Sequence, residues 1–237
     1  MAAARRGRRF SMTEKLGVKA GSTLPANVQK MESLGEEEGV GARPLSASSK
    51  EVSIVERVKA RLAACVDLID AAEGIDAKCA VLVASMREGL DDPLFFASVC
   101  DRLSTMTVGP DRSEMRGTIA TGEGFGAMEA ALTAHPDDPN VKFHWMKLVT
   151  ILASDQNAAL GCATVDRAVG ILERSMDDAI VVSQAVKAFK NFASDVEMRA
   201  QVRSSGALDT LQAAIDGMGG NAILSWRLAD LTNVVTA

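Results

Sequence analysis

The stretch Thr121 to Leu132, TGEGFGAMEAAL, sets three glycines (Gly122, Gly124, Gly126) at alternate positions directly before a run that can open a helix. Two readings compete for it. Glycine-rich turns at helix N-termini bind phosphates, because free backbone N–H groups and the helix dipole converge there. The other reading has the glycines turning one helix into the next at φ > 0. A nucleotide loop also needs a preceding buried strand in a βαβ unit, or a Lys-Ser/Thr pair after the glycines. Neither surrounds Gly122, so a turn between helices is expected.

The rest of the chain agrees with a helical setting. Of its 237 residues only 4% are aromatic, tyrosine is absent, and Ala, Leu, Val and Met dominate, a palette that favours helices over sheets. An all-α fold is expected. The net charge of −5 comes without a clustered basic face in the apolar part, which argues against nucleic-acid binding there. Cys65, Cys79, Cys100 and Cys162 lie among apolar neighbours without C-x-x-C spacing and are expected as buried free thiols in a reducing compartment. No secretory signal and no run of about 18 apolar residues is present, so no membrane span is expected and the expected location is cytoplasmic, with a cytoskeletal setting open.

Residues 1–47 carry Gly, Pro, Ser and charge without a hydrophobic period and read as an extended charged tail. Arg5, Arg6, Arg8 and Arg9 make its start basic, whereas Glu32, Glu36, Glu37 and Glu38 make the next part acidic. The Arg-rich start fits docking on an acidic partner surface. It also fits a mitochondrial presequence, and Arg8-Arg9-Phe10-Ser11 fits a basophilic kinase site.

From Ser48 the pattern changes. Ser48 to Glu51 fits a capping box, and Val55, Val58, Leu62, Val66 and Ile69 fall on one helical face. Further helices are expected from about Asp76 to Glu88 and from Asp92-Pro93 onward. Residues 48–111 then read as N-terminal helices that cap one end of the helical region 112–237. Asp91-Asp92, Asp137-Asp138, Asp177-Asp178 and Gly219-Gly220 each precede a long helix, and their second members are spaced 46, 40 and 42 residues apart. Eleven and 14 positions beyond these anchors lie Leu103 and Met106, Val149 and Leu152, Phe189 and Phe192, then Leu231 and Val234. Such in-phase apolar recurrence marks a helical repeat array.

These residues resemble the armadillo family. MRAQVRSSGALDTLQAAI (Met198 to Ile215) resembles the junction where a short first helix turns through Gly206 into the second, and AVKAFKNFA (Ala185 to Ala193) resembles the third helix. RGTIATGEGFGAMEAALTAHPDDPNV (Arg116 to Val141) resembles the same junction earlier in the chain, with Gly122, Gly124 and Gly126 standing where Gly206 stands. The resemblance covers residues 112–237 and is looser over 76–111. It implies a short armadillo-like α-solenoid whose third helices line a groove.

In peptide-binding armadillo proteins a third-helix Asn clamps the peptide backbone and a Trp one turn earlier stacks on its side chains. Asn191 and Asn233 match the Asn position, where the other units have Thr105 and Ile151. At the Trp position stand Asp101, Lys147, Lys187 and Ala229, so the stacking wall is missing and Lys147 with Lys187 would favour an acidic or neutral ligand. Asn191 and Asn233 could equally hydrogen-bond neighbouring loops. Trp145 and Trp226 are expected in packing rather than on a ligand.

Chemistry is sparse. His135 and His144 lack the convergent ligands zinc wants, and the paired acids recur without histidine, which marks them as N-capping residues. No G-x-S-x-G elbow exists. The expectation is a protein without catalysis or cofactor, a scaffold or accessory subunit binding other proteins in a complex, with a transient peptide adaptor as the alternative. Leu231, Val234 and Val235 stand so near Ala237 that this end is expected to pack on a partner or on itself.

Overall fold

The computed structural model describes residues 46–108 and 112–237, with side chains from Ile54 onward. The tail with Arg5, Arg6, Arg8 and Arg9, and the Ser48 capping box, lie outside the described residues or side chains. Among the described residues all regular structure is helical. The helices are α1 (Ser46–Ala71), α2 (Ile75–Glu88), α3 (Pro93–Met106), α4 (Arg112–Thr121), α5 (Glu123–Ala134) and α6 (Pro139–Leu152). They continue as α7 (Asn157–Leu160), α8 (Ala163–Glu173), α9 (Ala179–Phe192), α10 (Val196–Ser204), α11 (Ala207–Gly217) and α12 (Ala222–Thr236).

Helices α3, α6, α9 and α12 each pack on the next, forming one layer. On it lie α2 against α5 and α8 against α11, with the short α4 and α10 wedged at their junctions. Helix starts set the register. Asp92 accepts a hydrogen bond from Phe95 N, Asp138 from Asn140 N and Val141 N, Asp178 from Ile180 N and Val181 N, and Asn221 from Ile223 N and Leu224 N. Each side chain closes amides that the helix cannot pair for itself. Pro93 and Pro139 add a preset φ at the first helical position.

The fourth cap is Asn221, one residue beyond the Gly219-Gly220 pair that served as its anchor in the sequence. Of the two core positions expected on α12, Leu231 is fully buried, whereas Val234 is half-covered and its neighbour Val235 is buried instead. The caps are spaced 46, 40 and 43 residues apart. Leu103, Val149 and Phe189 are fully buried as expected, and on α12 the matching inward face carries Leu224, Leu228, Leu231 and Val235. Leu231 and Val235 are therefore covered by the chain itself, which corrects the expectation that this end leaves them bare. At the other end α1 buries Cys65 and Ile69, while Val58 and Leu62 are half-covered and Val55 points outward. Arg61 ties α1 down by donating to Glu88 O at 2.9 Å and lying 4.0 Å over the Phe95 ring.

Gly122 does separate α4 from α5, but not by a left-handed backbone: its φ is −97°, whereas Gly206 at the α10–α11 turn has φ +78°. Close approach explains two of the three glycines instead: a Cβ on Gly122 would lie 2.6 Å from Thr118 O. A Cβ on Gly124 would lie 3.0 Å from Ile119 Cγ2 and 3.3 Å from Val83 Cγ2, where α5 closes on α4 and α2; at Gly126 nothing lies within 4 Å. Replacing them should have opposite effects. Gly126→Ala should stabilise the fold by roughly 0.5–1 kcal/mol through helix propensity, while Gly124→Val should cost about 1–3 kcal/mol through overpacking. Urea unfolding of the two variants checks both signs.

Candidate interaction surface

The layer of α3, α6, α9 and α12 gathers the residues singled out in the sequence, and their hydrogen bonds show what each does. Asn191 Nδ2 donates to Thr150 O at 2.7 Å. Thr150 lies in the last turn of α6, where carbonyls have no partner within the helix, while Val149, Ile151 and Leu152 are taken by backbone amides beyond the helix end. Asn191 thus closes one helix end from the next helix, and its own carbonyl accepts from Asn157 Nδ2 at 3.0 Å. Asn233 differs. It lies 12 residues after its cap, against 13 for Asn191, and its side chain is exposed. The two asparagines do not form a pair on equivalent faces.

Counted from the caps, the ninth positions hold Asp101, Lys147, Lys187 and Asp230. Lys147 donates to Asp101 at 2.6 Å, and Lys190 pairs with Asp230 at 2.5 Å, so charges at both ends of the layer are paired inward. Lys187 is exposed and forms no ion pair among the described residues. Of the two candidate lysines, one serves the structure and one faces solvent.

Trp145 is fully buried; its indole Nε1 donates to Glu129 Oε1 at 2.8 Å, and Arg167 Nε holds the other carboxylate oxygen at 3.0 Å. Glu129 links α5, α6 and α8, a role no sequence motif signalled. Trp226, by contrast, is 69% exposed. That corrects its assignment to packing. With Ile223 (64%), three residues earlier on the same helix, it supplies exposed apolar surface on α12. Leu94, Ile180 and Ile223 each stand two residues after a cap, a row of exposed aliphatic side chains along the N-terminal rim of these helices.

The described residues hold no group of three or more His, Cys, Asp or Glu placed to bind a metal ion. No described helix is long and apolar enough to cross a membrane. Cys65, Cys79 and Cys100 are buried free thiols, and Cys162 is half-buried. Burial, helped by Asp76 and Glu114, pushes the Cys79 thiol up to about 11, and burial raises Cys100 as well. Both are protonated thiols at neutral pH. His135 spends Nε2 on Leu90 O at 2.5 Å.

His144 is buried, and burial lowers its pKa from the usual 6.5 despite the opposing pull of Asp101; Lys147 adds to the lowering. The unfolded chain then binds more protons than the folded one just below pH 6.5, so stability is full above that value and falls as pH drops through the folded pKa. In His144→Leu the part of the acid sensitivity between pH 7 and 5 due to this group should vanish, read as denaturation midpoint against pH. Asn191→Ala should cost about 1–2 kcal/mol by orphaning Thr150 O, whereas Asn233→Ala should stay within about 0.5 kcal/mol of wild type; equal effects would mean that Asn191 does not hold this contact in solution.

No family model, no curated protein and no solved structure matches this chain.

Proposed function

We propose that residues 48–237 form a short armadillo-like α-solenoid that works without catalysis, as a protein-interaction scaffold within a larger assembly. Supporting the solenoid are the successive packing of α3, α6, α9 and α12, the second layer upon it, and the cap spacing close to that of such repeats. The observation that carries the function is the exposed Trp226 beside Ile223 on the outermost helix of that layer. Large exposed aromatics of this kind are enriched at protein contacts. The tail, with Arg5, Arg6, Arg8 and Arg9, would add a basic arm for an acidic partner surface, and a cytoplasmic or cytoskeletal setting suits such a subunit.

A specific observation favours the second reading, a transient adaptor for short peptides. Beside its buried row of Leu224, Leu228 and Leu231, α12 carries Ser225, Ala229 and Thr232, small or polar side chains that are exposed or half-covered. A row of small and polar side chains of this kind lets a helix face water without a permanent partner. Size-exclusion chromatography with light scattering, after mild purification of the full chain from its own cells, separates the two. A stoichiometric complex that Trp226→Ser disrupts is expected of the scaffold. A monomer would sink the permanent-subunit reading and leave the adaptor, whose peptide should shift Trp226 fluorescence to shorter wavelength on binding.

A further inference from the structure

The repeat is broken at one buried position. Four residues after their caps, α3 carries Phe96 and α9 carries Val182, both 1% exposed or less, but α6 carries Lys142 at 7%. A lysine in an apolar core position costs stability unless its charge is matched. Lys142 Nζ makes one hydrogen bond, to Arg174 O at 3.3 Å, and no ion pair among the described residues. Two of its three donors are left over. Local rules broken without compensation mark functional positions.

The side chain opens on a cleft of about 500 Å³ at the start of α9, lined also by Arg174, Ser175, Asp177, Asp178 and Ile180. Ser175 is 4% exposed, and its Oγ has no hydrogen-bond partner. Asp178 gives Oδ1 to the first amides of α9, where the positive end of the helix dipole offsets its charge, and Asp177 sits exposed at the rim, where water screens it. The floor of the cleft therefore presents an ammonium and a hydroxyl with unfilled hydrogen-bonding capacity, flanked by an exposed guanidinium.

We propose that this cleft is an oxyanion-binding site, in which Lys142 Nζ and Ser175 Oγ donate to a carboxylate or phosphate group and Arg174 closes over it. Carboxylates and phosphates share the need for convergent charged donors, and Ile180 at the edge offers an apolar surface to whatever carries the anion. The site stands independently of the scaffold reading.

The test is titration of the full-length protein with inorganic phosphate and, separately, with N-acetyl-aspartate amide, at ionic strength held constant with chloride and followed by amide ¹H–¹⁵N spectra. Saturable shifts at Ser175 to Ile180 are expected with at least one probe. Phosphate alone assigns a tetrahedral anion, the aspartate probe alone an acidic side chain, and both a general oxyanion site. Lys142→Met should weaken binding at least about tenfold and Ser175→Ala several-fold, while Asp177→Asn should strengthen it. Lys187→Met, which removes an exposed charge elsewhere, should change nothing. Methionine at 142 restores the apolar pattern, so that variant is expected to fold; if it does not, Ser175→Ala decides. Absence of a saturable shift up to about 10 mM of both probes, or equal shifts in the folded Lys142→Met and Ser175→Ala proteins, would overturn the proposal.

Discussion

Every helix end carries backbone groups that the helix cannot pair for itself, and this fold answers that constraint at many of its helix ends with a side chain. At N-termini the answer is local: Asp92, Asp138, Asp178, Asp195 and Asn221 close the first amides of their own helices. At C-termini many carbonyls are taken by backbone amides just beyond the helix, and side chains from elsewhere in the chain take others. Arg61 takes Glu88 O, Asn191 takes Thr150 O, Asn157 takes Asn191 O, and Arg203 takes Val235 O. An uncovered buried carbonyl costs about as much as a lost hydrogen bond, so these contacts fix which helix end meets which neighbour. Apolar packing alone tolerates sliding and substitution. The directional bonds select one register from those the apolar faces would allow.

The same economy separates structural polar residues from available ones. Asp101 with Lys147, Lys190 with Asp230, and Glu129 with Trp145 and Arg167 are paired across helices and stitch the layers together. Exposed pairs of this sort contribute little individually, about 0.2–1 kcal/mol; their effect lies in placing charges at defined positions. Among the described residues that these pairings leave out are Lys187 on the layer surface, Trp226 and Ile223 on α12, and Lys142 with Ser175 in the cleft beside α9. Surface and cleft hold capacity for contact that the fold itself has not used.

Much of this was legible in one dimension. Caps and prolines announce helix starts because an N-cap acts through the next three residues, and the recurrence of aspartate pairs set the repeat length. Gly122 reads as a helix junction for want of a strand or a Lys-Ser/Thr pair. Lys142 was legible too, once the units are aligned on their caps, since the fourth position holds Phe96 and Val182 in the neighbouring units. Aligning the fourth unit on Gly219-Gly220 hid the register by one residue. That step made Asn233 look equivalent to Asn191, whereas Leu231 and Val235 looked bare because they stand near Ala237.

The sequence by itself determined the helical class, the helix starts and the repeat period, all of which rest on contacts between residues close along the chain. Tertiary structure alone decided which side of each helix is covered. Trp145 and Trp226 are the same residue type on two helices of one layer, yet one is enclosed by Glu129, Phe125 and the core while the other faces outward. Nothing in their local sequence distinguishes them, because burial depends on neighbours brought in from other helices. The glycines show the same division: φ > 0 at Gly206 is a property of its own backbone, whereas the need for glycine at Gly124 comes from Ile119 and Val83, which α4 and α2 bring against it. Asn191 belongs with them, since its partner is a carbonyl 41 residues earlier that is left open only because α6 ends there.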